Sequence, residues 1–415
     1  MERLFTRKKP VGQWDSGTPE CRMRNRPGLA TIYETAIGKF DMDSRVVFSG
    51  FLVLFGLVVS ALGQTPRPTE KPTEKDEVIR VDTQLVEVPV AVVSASGMPL
   101  RGLKASNFTV TEDGKHQEIA AFSTTSEPFE VALLLDTSGS TRGDLRLIQS
   151  AAQYFIASLR PGDRVAIIAY STERKNDQAF AVDELVSPLT EDRKALRTAI
   201  DNISTSNGTP FYDSLLKVVE KVFHNPPKEQ YRGRRALVAL TDGVDSTSVS
   251  EFDEVKEAFD TAGIISFFIQ VDTRSDFEAQ LLGDCQSSIH FSAAQIRRYY
   301  RSIKGKPGME KTLNFCQLGD FERLAISKKL YEIADEEMNE LASASGGKIF
   351  PAGDFTEARN AFKSVADEIG TKYSIGYYST NEKRDGTYRK IKVDIKGLPA
   401  GSKVRAREGY TAPAD

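Results

Sequence analysis

Residues 131–140 read Val-Ala-Leu-Leu-Leu-Asp-Thr-Ser-Gly-Ser, five apolar residues running straight into an acidic, hydroxyl-rich turn. An apolar run this short, bounded by turn residues, fits a strand buried on both faces. Asp136, Ser138 and Ser140 stand at alternate positions just past its end. One carboxylate and two hydroxyls converging there are hard oxygen ligands, which suit Mg²⁺ or Ca²⁺ rather than zinc.

Outward from this turn the pattern alternates between helix and strand. Leu145, Ile148, Ala152, Phe155 and Leu159 recur at helical spacing, and Pro161-Gly162 ends that helix. A buried strand follows at 164–170, then a short edge strand at 180–185 and helices at about 191–202 and 210–223. The strand 236–241, a helix at about 251–262 and the strand 264–269 come next. A helix at 328–345, a strand at 348–350 and a helix at 355–369 close the unit. This order predicts an α/β fold with a doubly wound, mainly parallel sheet.

In such sheets a site forms beyond the carboxyl ends of the strands, where the strand order reverses. Asp136 and Asp242 each follow a predicted strand, and the loop Ser206-Asn207-Gly208-Thr209-Pro210 offers a third oxygen source. Taken singly, Thr209 reads as a helix cap with Pro210 at the first helical position, and Asp242-Gly243 as a turn. Their combination points to a metal site.

That combination resembles the von Willebrand factor type A (VWA) domain. The motif residues are Asp136-x-Ser138-x-Ser140, Thr209 within Gly208-Thr-Pro-Phe-Tyr-Asp213, and Asp242 within Leu240-Thr-Asp-Gly243. The resemblance spans about 128–370. It implies a metal-ion-dependent adhesion site in which Ser138, Ser140 and Thr209 ligate through hydroxyls. Asp136 and Asp242 would act mainly through bound waters. The implied ion is Mg²⁺, with Mn²⁺ or Ca²⁺ as substitutes, and its open position would accept an Asp or Glu of a protein partner. The flanks, with Phe108-Thr-Val-Thr-Glu-Asp-Gly-Lys before and Val404-Arg-Ala-Arg-Glu-Gly-Tyr410 after, are similar to the VWFA-related domain family of Acidobacteria.

The flanking segments 78–127 and 371–412 read as β structure. Val86, Val88, Val90 and Val92 alternate, although Pro89 leaves one edge of that strand without a donor. Asp113-Gly114 marks a hairpin, and Lys383-Arg384-Asp385-Gly386 reads as another. Each segment is too short for its own core, so the two are expected to form one small sandwich. The long connection 272–327 is predicted to overhang the metal turn. It carries Cys285, Cys316, His290 and Arg297-Arg298-Tyr299-Tyr300-Arg301, which suit either a specificity loop or a solvated insertion.

Ahead of these lies a signal region, 1–63, whose hydrophobic run 46–62 follows Arg45 and ends in a small-x-small cleavage pattern. Met42 would make an ordinary start for it, and an uncleaved run could instead act as an anchor. The linker 64–77 repeats Pro-Thr-Glu-Lys. An extracytoplasmic location (periplasm, cell envelope or secreted) follows from this reading. Removing 1–63 takes nine basic and six acidic residues from totals of 55 and 58, leaving a net charge of −6. That argues against a nucleic-acid or anionic-membrane binder. Cys285 and Cys316 either stay free or pair, and a bridge would contribute roughly 3 kcal/mol.

No enzyme is expected. The three histidines belong to no base motif, and no G-x-S-x-G elbow or P-loop occurs. A phosphatase of the haloacid-dehalogenase type would need an Asp where Ser138 stands. The alternatives to adhesion are an envelope assembly component with a stabilising metal or, more remotely, a metal-dependent phosphatase. Oligomeric state is left open.

Overall fold

The computed structural model describes residues 85–124, 127–176, 178–303 and 313–414. The signal region, Met42, the 46–62 run and the 64–77 linker lie outside the described residues. No helix among the described residues is long and apolar enough to cross a membrane.

The chain opens with β1 (Leu85–Val93), β2 (Phe108–Glu112), β3 (Lys115–Gln117) and β4 (Ile119–Ser123). Asp113 and Gly114, both at positive φ, form the turn between β2 and β3. This is the hairpin that the Asp-Gly pair predicts. β5 (Glu130–Leu135) then begins the central unit, with all six residues buried.

After β5 come α1 (Leu145–Ser158), β6 (Arg164–Lys175), β7 (Gln178–Thr190), α2 (Arg193–Asp201), α3 (Phe211–Lys217) and β8 (Arg235–Thr241). α4 (Phe252–Ala262), β9 (Ile265–Val271), α5 (Arg274–Leu281), α6 (Ala293–Ser302), α7 (Asp320–Ala344), β10 (Lys348–Ala352) and α8 (Ala358–Ile369) complete this unit. The sheet order is β10-β9-β8-β5-β6-β7, parallel except for β7. From β5 the chain moves outward to β6 and β7, then returns to place β8 on the other side of β5. The order therefore reverses between β5 and β8, and a doubly wound sheet opens its crevice there. One apolar layer packs α1, α2 and α8 on the sheet, and another packs α3, α4 and α7 on the opposite face.

Four predicted elements differ most from what is observed. The edge strand is 13 residues long and β6 reaches Lys175, because β6 and β7 pair beyond the sheet as an exposed hairpin whose polar residues give no burial signal. α7 begins at Asp320, eight residues before the predicted 328. Glu322 accepts the Gly319 N–H there, and Ile326 and Leu330 turn into a local core. Lys383–Gly386 closes no hairpin, because the strands on either side of it lie in different sheets. Asp385 instead accepts the N–H and hydroxyl of Thr387 (3.1 and 2.6 Å), a local turn of its own.

The remaining strands are β11 (Tyr373–Tyr378), β12 (Tyr388–Ile395), β13 (Lys403–Ala406) and β14 (Gly409–Thr411). They interleave with the first four in two antiparallel sheets, β13-β1-β11-β4 and β14-β12-β2-β3. Val88, Val110, Ile375 and Tyr377 are fully buried in the core that these sheets share. Pro89 lies where β1 has β11 on one side and no pairing to β13, which begins at Val90. The missing donor therefore costs no ladder bond.

Candidate metal centre

β5 and β8 run in register with Leu135 opposite Leu240, so their ends bring Asp136 and Thr241 together. The Asp136 N–H donates to the Leu240 carbonyl (3.0 Å). One carboxylate oxygen of Asp136 accepts the Ser138 N–H (3.1 Å), and the other accepts the Thr241 hydroxyl (2.7 Å). Asp136 and Ser138 are buried. Ser140 belongs by its backbone to the 3₁₀ turn Gly139–Asp144, while its side chain falls outside what the structure describes.

The Thr209 loop is drawn in from the other side. The Ser206 N–H donates to the Thr137 carbonyl (2.7 Å), and the Ser206 hydroxyl donates to the Ser171 carbonyl (3.0 Å). Asn207 donates its N–H to the Thr172 hydroxyl (3.0 Å), so the projecting β6–β7 hairpin braces the loop. Thr209 gives its N–H to the Ser246 hydroxyl (2.8 Å), and its carbonyl accepts the Ser246 and Thr247 N–H groups. Its own hydroxyl makes no hydrogen bond among the described residues. Gly208 is required for this closure, since a Cβ there would lie 2.6 Å from Thr247 Cγ2.

Asp242 follows β8 and is part-buried. One oxygen accepts the Val244 N–H (3.0 Å) and the other accepts the Thr273 hydroxyl, which also meets the Tyr331 hydroxyl (2.9 Å). Gly243 takes positive φ, and a Cβ there would sit 2.7 Å from Met338 Cε. The structure thus brings Asp136, Ser138, Thr209 and Asp242 to neighbouring loops at one end of the sheet.

The electrostatics of this end are unusual. Burial pushes the Asp242 carboxyl up to about 7, and the neighbouring Asp136 charge adds to the effect. Asp136 is also pushed up by burial, against the hydrogen bonds from Ser138 and Thr241. Neither carboxylate has a basic ion-pair partner among the described residues. The fully buried Tyr170 hydroxyl has no hydrogen-bond partner among the described residues. The nearby Ser214 hydroxyl donates to the Pro210 carbonyl instead (2.6 Å). Burial and the charges of Asp136, Asp245 and Asp242 hold that phenol well above its usual range. One buried and one part-buried carboxylate, with no counter-charge among the described residues, stand beside the Thr209 hydroxyl and the Tyr170 phenol as a set of hard oxygens that a hydrated hard cation fits.

Several residues at this end carry no sequence signal of their role. Asp245 accepts the N–H groups of Phe211 (2.9 Å) and Tyr212 (3.4 Å), capping α3 from another loop. Arg298 of α6 reaches Asp245 at 3.5 Å and lies over the Tyr212 ring at 4.6 Å. The insertion is therefore more than a solvated loop. Leu281, Phe291, Ile296 and Phe315 give it a core, and Cys285 and Cys316 are joined by a disulfide. His290 stacks on Phe315 with ring centres 4.4 Å apart.

Residues 130–298 match the family model of the von Willebrand factor type A domain. The central unit of this chain is a VWA domain. Among solved structures, the chain is similar to a von Willebrand factor type A protein from Catenulispora acidiphila at 11% identity. That match covers 80% of this chain and 74% of the other, with a TM-score of 0.37. The protein BatB from Bacteroides thetaiotaomicron matches at 17% identity over 58% of this chain and 98% of its own, with a TM-score of 0.32. The vWF domain of the type V pili tip protein Mfa5 from Porphyromonas gingivalis matches at 20% identity over 29% and 40%, with a TM-score of 0.24. No curated protein matches the chain.

Proposed function

We propose that this VWA domain binds a protein partner through a Mg²⁺-dependent adhesion site made by Asp136, Ser138, Ser140, Thr209 and Asp242. The observation that carries this reading is the pair Asp136, buried, and Asp242, part-buried, carboxylates held by hydroxyls and N–H groups with no basic partner among the described residues. Ser138, Ser140 and Thr209 would present hydroxyls, while the two carboxylates orient waters and balance charge. The ion would supply a Lewis-acidic position open to a partner Asp or Glu, since Mg²⁺ prefers six oxygens. Such a site recognises rather than catalyses, and the chain works outside the cytoplasm.

A pull-down from native envelope extract tests this. The expected capture is lost in EDTA, returns with Mg²⁺ or Mn²⁺, and is absent from the Asp136→Ala, Ser138→Ala double variant. Capture that persists in EDTA contradicts the reading. The bonds of Asp136 to both Thr241 and Ser138 also suit a purely stabilising metal. In that case Mg²⁺ raises the melting temperature, yet capture does not depend on it. Phosphate release from a generic phosphomonoester would overturn the non-enzymatic reading.

A further inference from the structure

The β6–β7 hairpin, the loop after β8 and the insertion helix α6 enclose a groove of about 580 Å³. Its walls include Phe180, Asn207, Thr247, Val249, Arg297 and Arg301. It adjoins the Thr209 loop directly. Asn207 stands two residues before Thr209, and the Ser246 hydroxyl that lines the groove accepts the Thr209 N–H. Gly208 packs so closely on Thr247 and Ala181 that no side chain fits between the groove floor and that loop.

The groove's charge is one-sided. Three arginines line it against one acid, Glu251. Arg298 is turned inward to Asp245, and Arg301 holds Glu251 at 3.1 Å. Arg297 is exposed and makes no ion pair among the described residues. Two large apolar side chains stand at the rim, Phe180 at 47% exposure and Val249 at 92%. A lone exposed apolar residue is ordinary. Phe180 beside an arginine with no ion pair among the described residues, on a surface that the α6 contacts hold in place, is the aromatic and arginine pairing enriched at protein interfaces, and Val249 adds apolar area to it.

We propose that this groove is the second half of the partner footprint. It takes a segment of the partner that carries a carboxylate for Arg297 and an aromatic or branched aliphatic side chain for Phe180 and Val249. That segment adjoins the acidic residue offered to the metal site, so the inference rests on the reading above for its placement but not for its own contacts. The complementary charge is acidic. A nucleic acid would satisfy the arginine, yet it meets the paired carboxylates of the metal end next door and a chain of net negative charge.

Random 12-residue peptides displayed on phage, selected in Mg²⁺ against the chain from residue 78 onward, test this. Selected peptides should carry two acidic residues and an apolar one. Arg297→Glu should weaken them about tenfold in fluorescence anisotropy, more at low salt than at high. Its melting temperature and Mn²⁺ affinity should match the wild type. Phe180→Ser, a second exposed position, should weaken the same peptides. If EDTA and Ser138→Ala abolish binding while Arg297→Glu and Phe180→Ser leave it unchanged, the groove is wrong and the metal reading stands. If Arg297→Glu weakens peptides that ignore EDTA, the groove stands and the metal reading falls. Selection of peptides without acidic residues, or displacement of the peptides by a single-stranded oligonucleotide, overturns the proposal.

Discussion

Glu130 opens a fully buried strand and Asp136 follows directly after its last residue, yet the two sit in opposite electrostatic settings. At the amino end, Glu130 is clamped between Arg164 (2.7 Å) and Arg235 (2.9 Å). Beside it, buried Arg234 donates to the carbonyls of Thr124, Glu127, Pro128 and Lys372, and burial pushes its guanidinium down to about 10. Lys372, pushed down to about 8 by burial, donates to the Gly346 carbonyl (2.6 Å). That end is where the β sandwich joins the central sheet. At the carboxyl end, the partners of Asp136 and Asp242 among the described residues are hydroxyls and N–H groups. A buried carboxylate with a built-in cation is a structural staple. One without a cation remains costly until a charge arrives from solvent.

Glu130→Gln should disturb the amino end most. It strands Arg235, whose side chain is only 10% exposed, and should cost about 3 to 5 kcal/mol in urea unfolding while leaving Mn²⁺ binding intact. A loss below about 1 kcal/mol would show that the amino end is not stapled by charge.

The pH dependence of the ion-free chain comes next. Asp242 is held up to about 7, above the roughly 3.9 of an unfolded Asp. Its contribution to stability is therefore complete below about pH 4 and is lost as pH rises through about 7. Melting in EDTA should drop by a few degrees between pH 5 and 8, and Mg²⁺ should remove the drop. Equal slopes with and without Mg²⁺ would contradict this.

Asp242→Asn sharpens the contrast from the other side. In EDTA at pH 8 it should be neutral or gain about 1 kcal/mol, because a costly charge disappears, yet Mn²⁺ binding should fail. The smallest effect is expected at Arg301→Ala. It breaks an exposed pair with Glu251 and should change stability by less than about 0.5 kcal/mol.

The carboxyl end was largely readable before the fold was known. The apolar run ahead of Asp136 and the strand before Asp242 announce themselves by composition, and the doubly wound order says where they meet. The amino end was not readable. Arg234, Arg235 and Lys372 look like surface residues in sequence, because nothing local shows that backbone carbonyls from other elements will surround them. Asp245 stayed hidden for a similar reason, since it caps α3 across a gap of 34 residues. The insertion's structure escaped because its helices bury their apolar residues in a core of their own. The Lys383–Gly386 turn misled because Asp-Gly fixes a local bend without fixing which strands it joins.

On the function proposed above, the carboxyl end of the sheet binds a divalent ion. Isothermal titration of Mn²⁺ into the metal-free chain from residue 78 onward measures this most directly. One saturable site is expected, absent from the Asp136→Ala, Ser138→Ala double variant while that variant remains folded. No binding to the wild type, or equal binding to the variant, would contradict it.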